Sequence, residues 1–148
     1  MPELIAPVLS IGSFFEEKFQ SLSCRDDTKA YIVNTFKRYR LADQDLSRQS
    51  ITLLFSAARQ HQNFAEFQNI GDWLFVAETM FPASLAGASI EYYQTLARIS
   101  YYTCFNLLNR KWVLYQELAD CYPEIVAETK CRMLDIGPGQ ISCKSIPT

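Results

Sequence analysis

One carboxylate stands where chemistry would need it. Asp72 lies in Ile70-Gly71-Asp72-Trp73-Leu74-Phe75, an otherwise apolar and aromatic run. An ionised carboxylate buried in such surroundings requires partners. Two roles fit it. It can act as a general base or ligand anchor, or it can hold an Arg, a Tyr hydroxyl or free backbone amides of a neighbouring turn. Buried polar groups are normally present because they are paired, so the second role is the expectation. The tyrosines come next: Tyr92-Tyr93 and Tyr101-Tyr102, two pairs nine residues apart. That separation is about two and a half helical turns, so each pair presents a different edge. Such rings line pockets for planar or amphipathic ligands, or complete a core with their hydroxyls at its boundary. The single histidine, His61, stands in the polar run Arg59-Gln60-His61-Gln62-Asn63 with no orienting partner beside it in the sequence.

Several chemistries lack their residues. Zinc sites need closely spaced ligand pairs. Here Cys24, Cys104, Cys121, Cys131 and Cys143 are widely spaced and form no C-x-x-C. Di-iron bundle sites need Glu-x-x-His pairs, and the chain has none. Gly137-Pro138-Gly139 is followed by no phosphate-binding lysine. The sequence therefore implies no metal and no cofactor, and it leans away from an enzyme. Lys37-Arg38-Tyr39-Arg40 is the one basic cluster with an interleaved aromatic. It is short for a nucleic-acid contact and reads as a solvated helix end.

The elements that would position these groups are helical. Ser13-Phe14-Phe15-Glu16 has the form of a capping box opening a short helix to about Ser21. Asp26 or Asp27 caps a second helix near Thr28–Arg40, with Ile32, Phe36 and Tyr39 as its stripe. Leu41–Ser47 is a linker, and a third helix covers Arg48–Gln60 with Ile51, Leu54, Phe55 and Ala58 on one face. The fourth, Phe64–Met80, is apolar nearly all round, which marks a central helix. Phe81-Pro82 ends it, and Ser84 is placed to cap the turn that follows. A fifth helix spans Ala88–Leu108, with Tyr92, Leu96, Ile99, Thr103 and Leu107 at helical spacing. A sixth begins near Lys111, and Pro123 kinks or restarts it. No strand alternation or fixed-period repeat is present. The fold expected is all-α, a compact bundle of five to seven helices: residues 1–136 as a single helical domain and 137–148 as a flexible tail.

Composition bounds the setting. The net charge of −2 leaves no global field for nucleic acid or an anionic membrane. The N-terminus has no basic residue ahead of its apolar run, unlike an export signal. An odd number of scattered cysteines reads as free thiols in a reducing compartment, which places the protein in the cytoplasm.

The segment Gly71, Asp72, Leu74, Phe75, then Phe81, Pro82, Ser84, Leu85, then Tyr92 and Tyr93 resembles a family of uncharacterised bacterial all-helical proteins. Its members carry Gly-Asp, then Phe-Pro-x-Ser-Leu, then a Tyr-containing helix. Ala30-Tyr31-Ile32-Val33 and Glu117-Leu118-Ala119 are similar too. The resemblance spans about 31–126 and implies a helical fold and a bacterial source, without an activity.

Two functions remain. The first is a non-enzymatic interaction module, an adaptor or regulatory subunit, that binds a protein partner or itself. The second is a small-molecule-binding protein with its pocket between the Asp72 helix and the Tyr92–Tyr102 helix. Asp72, Ser84, Tyr93 and Tyr102 are the candidate binding residues. Tyr93 and Tyr102 are expected at the surface, because Tyr92 shares a stripe with Leu96 and Ile99.

Overall fold

The computed structural model describes residues 14–41, 48–85 and 87–134. The expected capping residue Ser13, the irregular N-terminus, the linker after Leu41 and the tail 137–148 lie outside the described residues. Seven α-helices make an all-α fold, with no strand among the described residues. They are α1 (14–19), α2 (Asp26–Leu41), α3 (Arg48–His61), α4 (Phe64–Met80), α5 (Ile90–Leu107), α6 (Val113–Asp120) and α7 (Tyr122–Leu134).

Helix α4 is the axis of the bundle. Asn63 is its N-cap, the side-chain oxygen accepting from the Glu66 amide at 3.0 Å. At its other end the Phe81 amide donates back to the Ala77 carbonyl, and Pro82 opens a 3-10 turn, Pro82–Leu85. Every residue from Ile70 to Thr79 is buried. A helix enclosed on all sides needs neighbours on all sides, and α2, α3, α5 and α7 supply them. Its largest interface is with α5. That approach is close because Ala97, Ser100 and Cys104, all small, form part of the buried face of α5. Ser89 caps α5 by accepting from the Tyr92 amide at 3.1 Å.

This packing corrects the expected phase of α5. Its buried residues are Tyr93, Leu96, Ala97, Ser100, Tyr101, Cys104 and Phe105, while Ile99 is exposed. Both stripes repeat at helical spacing, and the small residues decide between them by letting α4 approach. Leu54, expected on the inner face of α3, is likewise exposed beside Leu53. Pro123 restarts the helix: α6 ends at Asp120, and α7 carries Pro123 in its first turn, where a missing amide is tolerated.

Carboxylates from the far end of the chain hold the start of α2. Glu117 of α6 accepts from the Arg25 amide at 3.2 Å and the Thr28 hydroxyl at 2.6 Å. Glu128 of α7 accepts from the Ser23 amide and hydroxyl at 3.1 and 2.9 Å. These carboxylates add to Asp27, whose own carboxylate accepts from the Thr28 amide, in satisfying donors at the helix entry. Cys24 sits between them, and burial, with the nearby Glu117 charge, pushes its thiol up to about 11. Cys24, Cys104 and Cys121 are free, but Cys131 is disulfide-bonded. Cys131 thus departs from the expectation that the cysteines are free thiols. No helix among the described residues is long and apolar enough to cross a membrane.

Candidate functional site

Asp72 is wholly buried in the middle of α4 and gathers three donors from two other helices. The Tyr31 hydroxyl of α2 donates to it, 2.8 Å from Oδ1 and 3.0 Å from Oδ2. The Tyr101 hydroxyl of α5 donates to Oδ1 at 2.8 Å. Arg38, two turns after Tyr31 on α2, donates from Nη2 to Oδ2 at 2.6 Å. The cluster extends to α6, where Tyr115 packs edge-on to Tyr31 with ring centroids 5.3 Å apart. The Tyr115 hydroxyl in turn accepts from Gln68 at 2.9 Å.

The electrostatics follow from enclosure. Burial pushes the Asp72 carboxyl up to about 6, and the Tyr31, Tyr101 and Arg38 contacts pull the other way without cancelling it. Burial, reinforced by the Asp72 charge, holds the Tyr31 and Tyr101 hydroxyls well above the usual phenol range. Burial also raises the Cys104 thiol, again with the Asp72 charge behind it. Neither phenol is suited to lose its proton near neutrality, so both serve as donors to the carboxylate. The arrangement clamps α2 and α5 to α4. Arg38 connects it to water: its side chain is 51% exposed and lies 5.2 Å from the Tyr39 ring.

Gly71 explains how Tyr101 reaches Asp72. A Cβ on Gly71 would stand 2.9 Å from the Tyr101 ring carbons, closer than real contacts allow. The Tyr101 ring therefore occupies the space that a side chain at position 71 would fill.

The other candidate residues sit apart from this cluster. Ser84 is exposed in the 3-10 turn, its hydroxyl donating to the Phe81 carbonyl at 2.7 Å. Tyr102 is 40% exposed, as expected. Tyr93 is 1% exposed, which corrects its expected place at the surface. The shifted phase of α5 turns Tyr93 inward and leaves Tyr92 half-buried, its hydroxyl 2.8 Å from that of Thr52 on α3.

Sequence reasoning missed two partnerships. Arg38 was read as part of a solvated helix end, yet it is the counter-charge of Asp72; its spacing of seven residues from Tyr31 was the available signal. His61 has an orienting partner after all, Glu66, with its carboxylate 3.1 Å from Nδ1. The pair bridges the α3–α4 junction, and both side chains are open to water. A second buried carboxylate, Glu78, accepts from Gln94 at 2.6 Å, and burial raises it above the ordinary range. Among the described residues no group of three or more His, Cys, Asp or Glu side chains is placed to hold a metal ion.

No family model, curated protein or solved structure matches the chain.

Proposed function

We propose that this chain is a non-enzymatic helical interaction module, an adaptor or regulatory subunit, that binds a protein partner or a second copy of itself. The observation that carries this reading is the division of its large side chains. The chemically suggestive ones, Asp72, Tyr31 and Tyr101, are consumed in joining helices. Trp112 at 57% exposure, with Tyr102, Ile99 and Val113, stands in water on the second half of α5 and the start of α6. Trp and Tyr dominate the energetics of protein interfaces because they bury large area with few rotors to freeze.

Two measurements test it. Sedimentation velocity over a range of concentrations reads self-association. Affinity capture followed by reconstitution of a one-to-one complex from purified components reads a partner. A triple variant, Ile99→Ser with Tyr102→Ser and Trp112→Ser, changes only exposed positions. It should keep its helicity and melting temperature while losing the association. A chain that stays monomeric and reconstitutes no complex, or a folded triple variant that associates like the parent, overturns the reading.

A further inference from the structure

The corner between α5 and α6 combines three properties that occur together nowhere else among the described residues. The first is charge. Between Glu91 and Glu117 the sequence has no acidic residue, while Arg98, Arg110 and Lys111 fall inside that stretch. In a chain of net charge −2 this is a local reversal of sign. Arg98 is engaged with the Ala119 carbonyl at 2.9 Å. Arg110 and Lys111 are exposed, and neither pairs with a carboxylate among the described residues.

The second property is aromatic area. Trp112 follows Lys111 directly and is the more exposed of the two tryptophans; Trp73 is 5% exposed. The Arg110 guanidinium lies 5.3 Å from the Phe105 ring, whose centroid is 6.2 Å from that of Tyr102. Phe105 itself is buried and backs two exposed neighbours, Tyr102 and Arg110, so the exposed aromatic area of the corner is that of Tyr102 and Trp112.

The third is a fixed backbone. Asn109 and Arg110 both have φ of 60°, a left-handed conformation that non-glycine residues rarely adopt. The turn is held there by the Arg110 amide donating to the Phe105 carbonyl at 2.8 Å and the Asn109 amide to Asn106 at 3.0 Å. A turn already fixed loses little freedom on binding.

Resting on the interaction-module reading, we propose that this corner docks an acidic segment of a partner protein that also carries apolar side chains. Trp112 and Tyr102 receive the apolar groups, and Arg110 and Lys111 receive the carboxylates. Two unpaired cations are too few for a lipid surface, where clusters of about four to eight operate. They are also too few to track a nucleic-acid backbone against the negative charge of the whole chain. They suffice for a short acidic segment, in which charge sets orientation and encounter rate while the aromatic anchor supplies affinity.

Trp112 is its own reporter. The probe is a synthetic peptide alternating glutamate and leucine, titrated into the full chain while tryptophan emission is followed. The controls are a lysine–leucine peptide, phosphatidylserine vesicles and a uridine oligonucleotide. Binding of the glutamate–leucine peptide should shift emission to the blue, and a Trp112→Phe variant should lose that shift because Trp73 is already buried. The double variant Arg110→Glu with Lys111→Glu should bind the peptide about tenfold more weakly and should gain affinity for the lysine–leucine peptide. Added salt should weaken the parent complex. Three results overturn the proposal: no saturable binding of the acidic peptide, binding that the double reversal leaves unchanged, or preference for the vesicle or the oligonucleotide. Failure here alongside a reconstituted partner complex removes the acidic segment and leaves the module; failure of both removes both.

Discussion

Ionising Asp72 inside the bundle has a thermodynamic signature. The carboxyl sits at about 6 in the folded chain against an ordinary value of 3.8. Between those values the folded state binds more protons than the unfolded state, so stability falls as pH rises through that window. Stability from this group is fully present below the unfolded value and is lost by the time pH passes the folded value. At about 1.36 kcal/mol per pH unit the loss is about 3 kcal/mol. Other groups facing Asp72 leave the window clear. Tyr31 and Tyr39 on α2, Tyr101 and Cys104 on α5, Tyr115 on α6 and Tyr122 on α7 are all raised by burial above their ordinary values. The assay is urea unfolding of the parent and of Asp72→Asn, followed by circular dichroism in steps from about pH 4 to about pH 7. The variant keeps the shape and removes the titration. Subtracting its curve also removes Glu78, which titrates with the same sign from elsewhere on α4. The stability difference, parent minus variant, should fall by about 3 kcal/mol across the window. A difference that stays level, or rises with pH, refutes the argument that burial outweighs the Tyr31, Tyr101 and Arg38 contacts.

Other expectations follow from the same geometry. Arg38→Met should move the midpoint of that pH dependence upward, because Asp72 loses its positive neighbour; an unmoved midpoint would mean that Arg38 is a bystander. Gly71→Ala should lower stability by about 1–3 kcal/mol, since the added methyl meets the Tyr101 ring; a thermal melt matching the parent counts against the close approach. Thr129→Val should raise stability by about 1 kcal/mol, because the Thr129 hydroxyl is buried without a hydrogen-bond partner among the described residues; denaturant unfolding reads it. Cys104 is buried with a raised thiol, whereas Cys121 is exposed. Alkylation with iodoacetamide should therefore reach Cys121 first and Cys104 last, as read by peptide mass spectrometry.

Where local chemistry punctuates the chain, the sequence was legible. The bounds of α4 follow from Asn63 at one end and Phe81-Pro82 at the other, and its enclosure follows from apolar residues on every side. Asp72 was legible as a buried, paired acid for the same reason. Its partners were not, because they lie 41, 34 and 29 residues away and only the packing of α2 and α5 onto α4 selects them. The phase of α5 was misread because Ile99 outweighs Ala97, Ser100 and Cys104 on any scale of hydrophobicity. Helix–helix approach instead favours the small residues, and Tyr93 moved inward with them. The His61–Glu66 pair was overlooked because it spans a helix boundary, where neither helical spacing applies.

The carboxylates at the start of α2 impose an order on the making of this protein. Glu117 and Glu128 follow the backbone amides they hold by 92 and 105 residues. During synthesis from the N-terminus, α2 emerges without Glu117 and Glu128 and with two of the three Asp72 donors, Tyr31 and Arg38, in place before Asp72 exists. Contacts of such long sequence separation form late and slow the search for the native state. Phe36 of α2 can pack early on Phe15 and Phe19 of α1 but meets Phe75 only when α4 is made, and the carboxylates at its entry wait for α6 and α7 to leave the ribosome. A chain halted before Glu117 would have α4 to cover α2 but would leave the Ser23, Arg25 and Thr28 donors facing water in place of the Glu117 and Glu128 carboxylates.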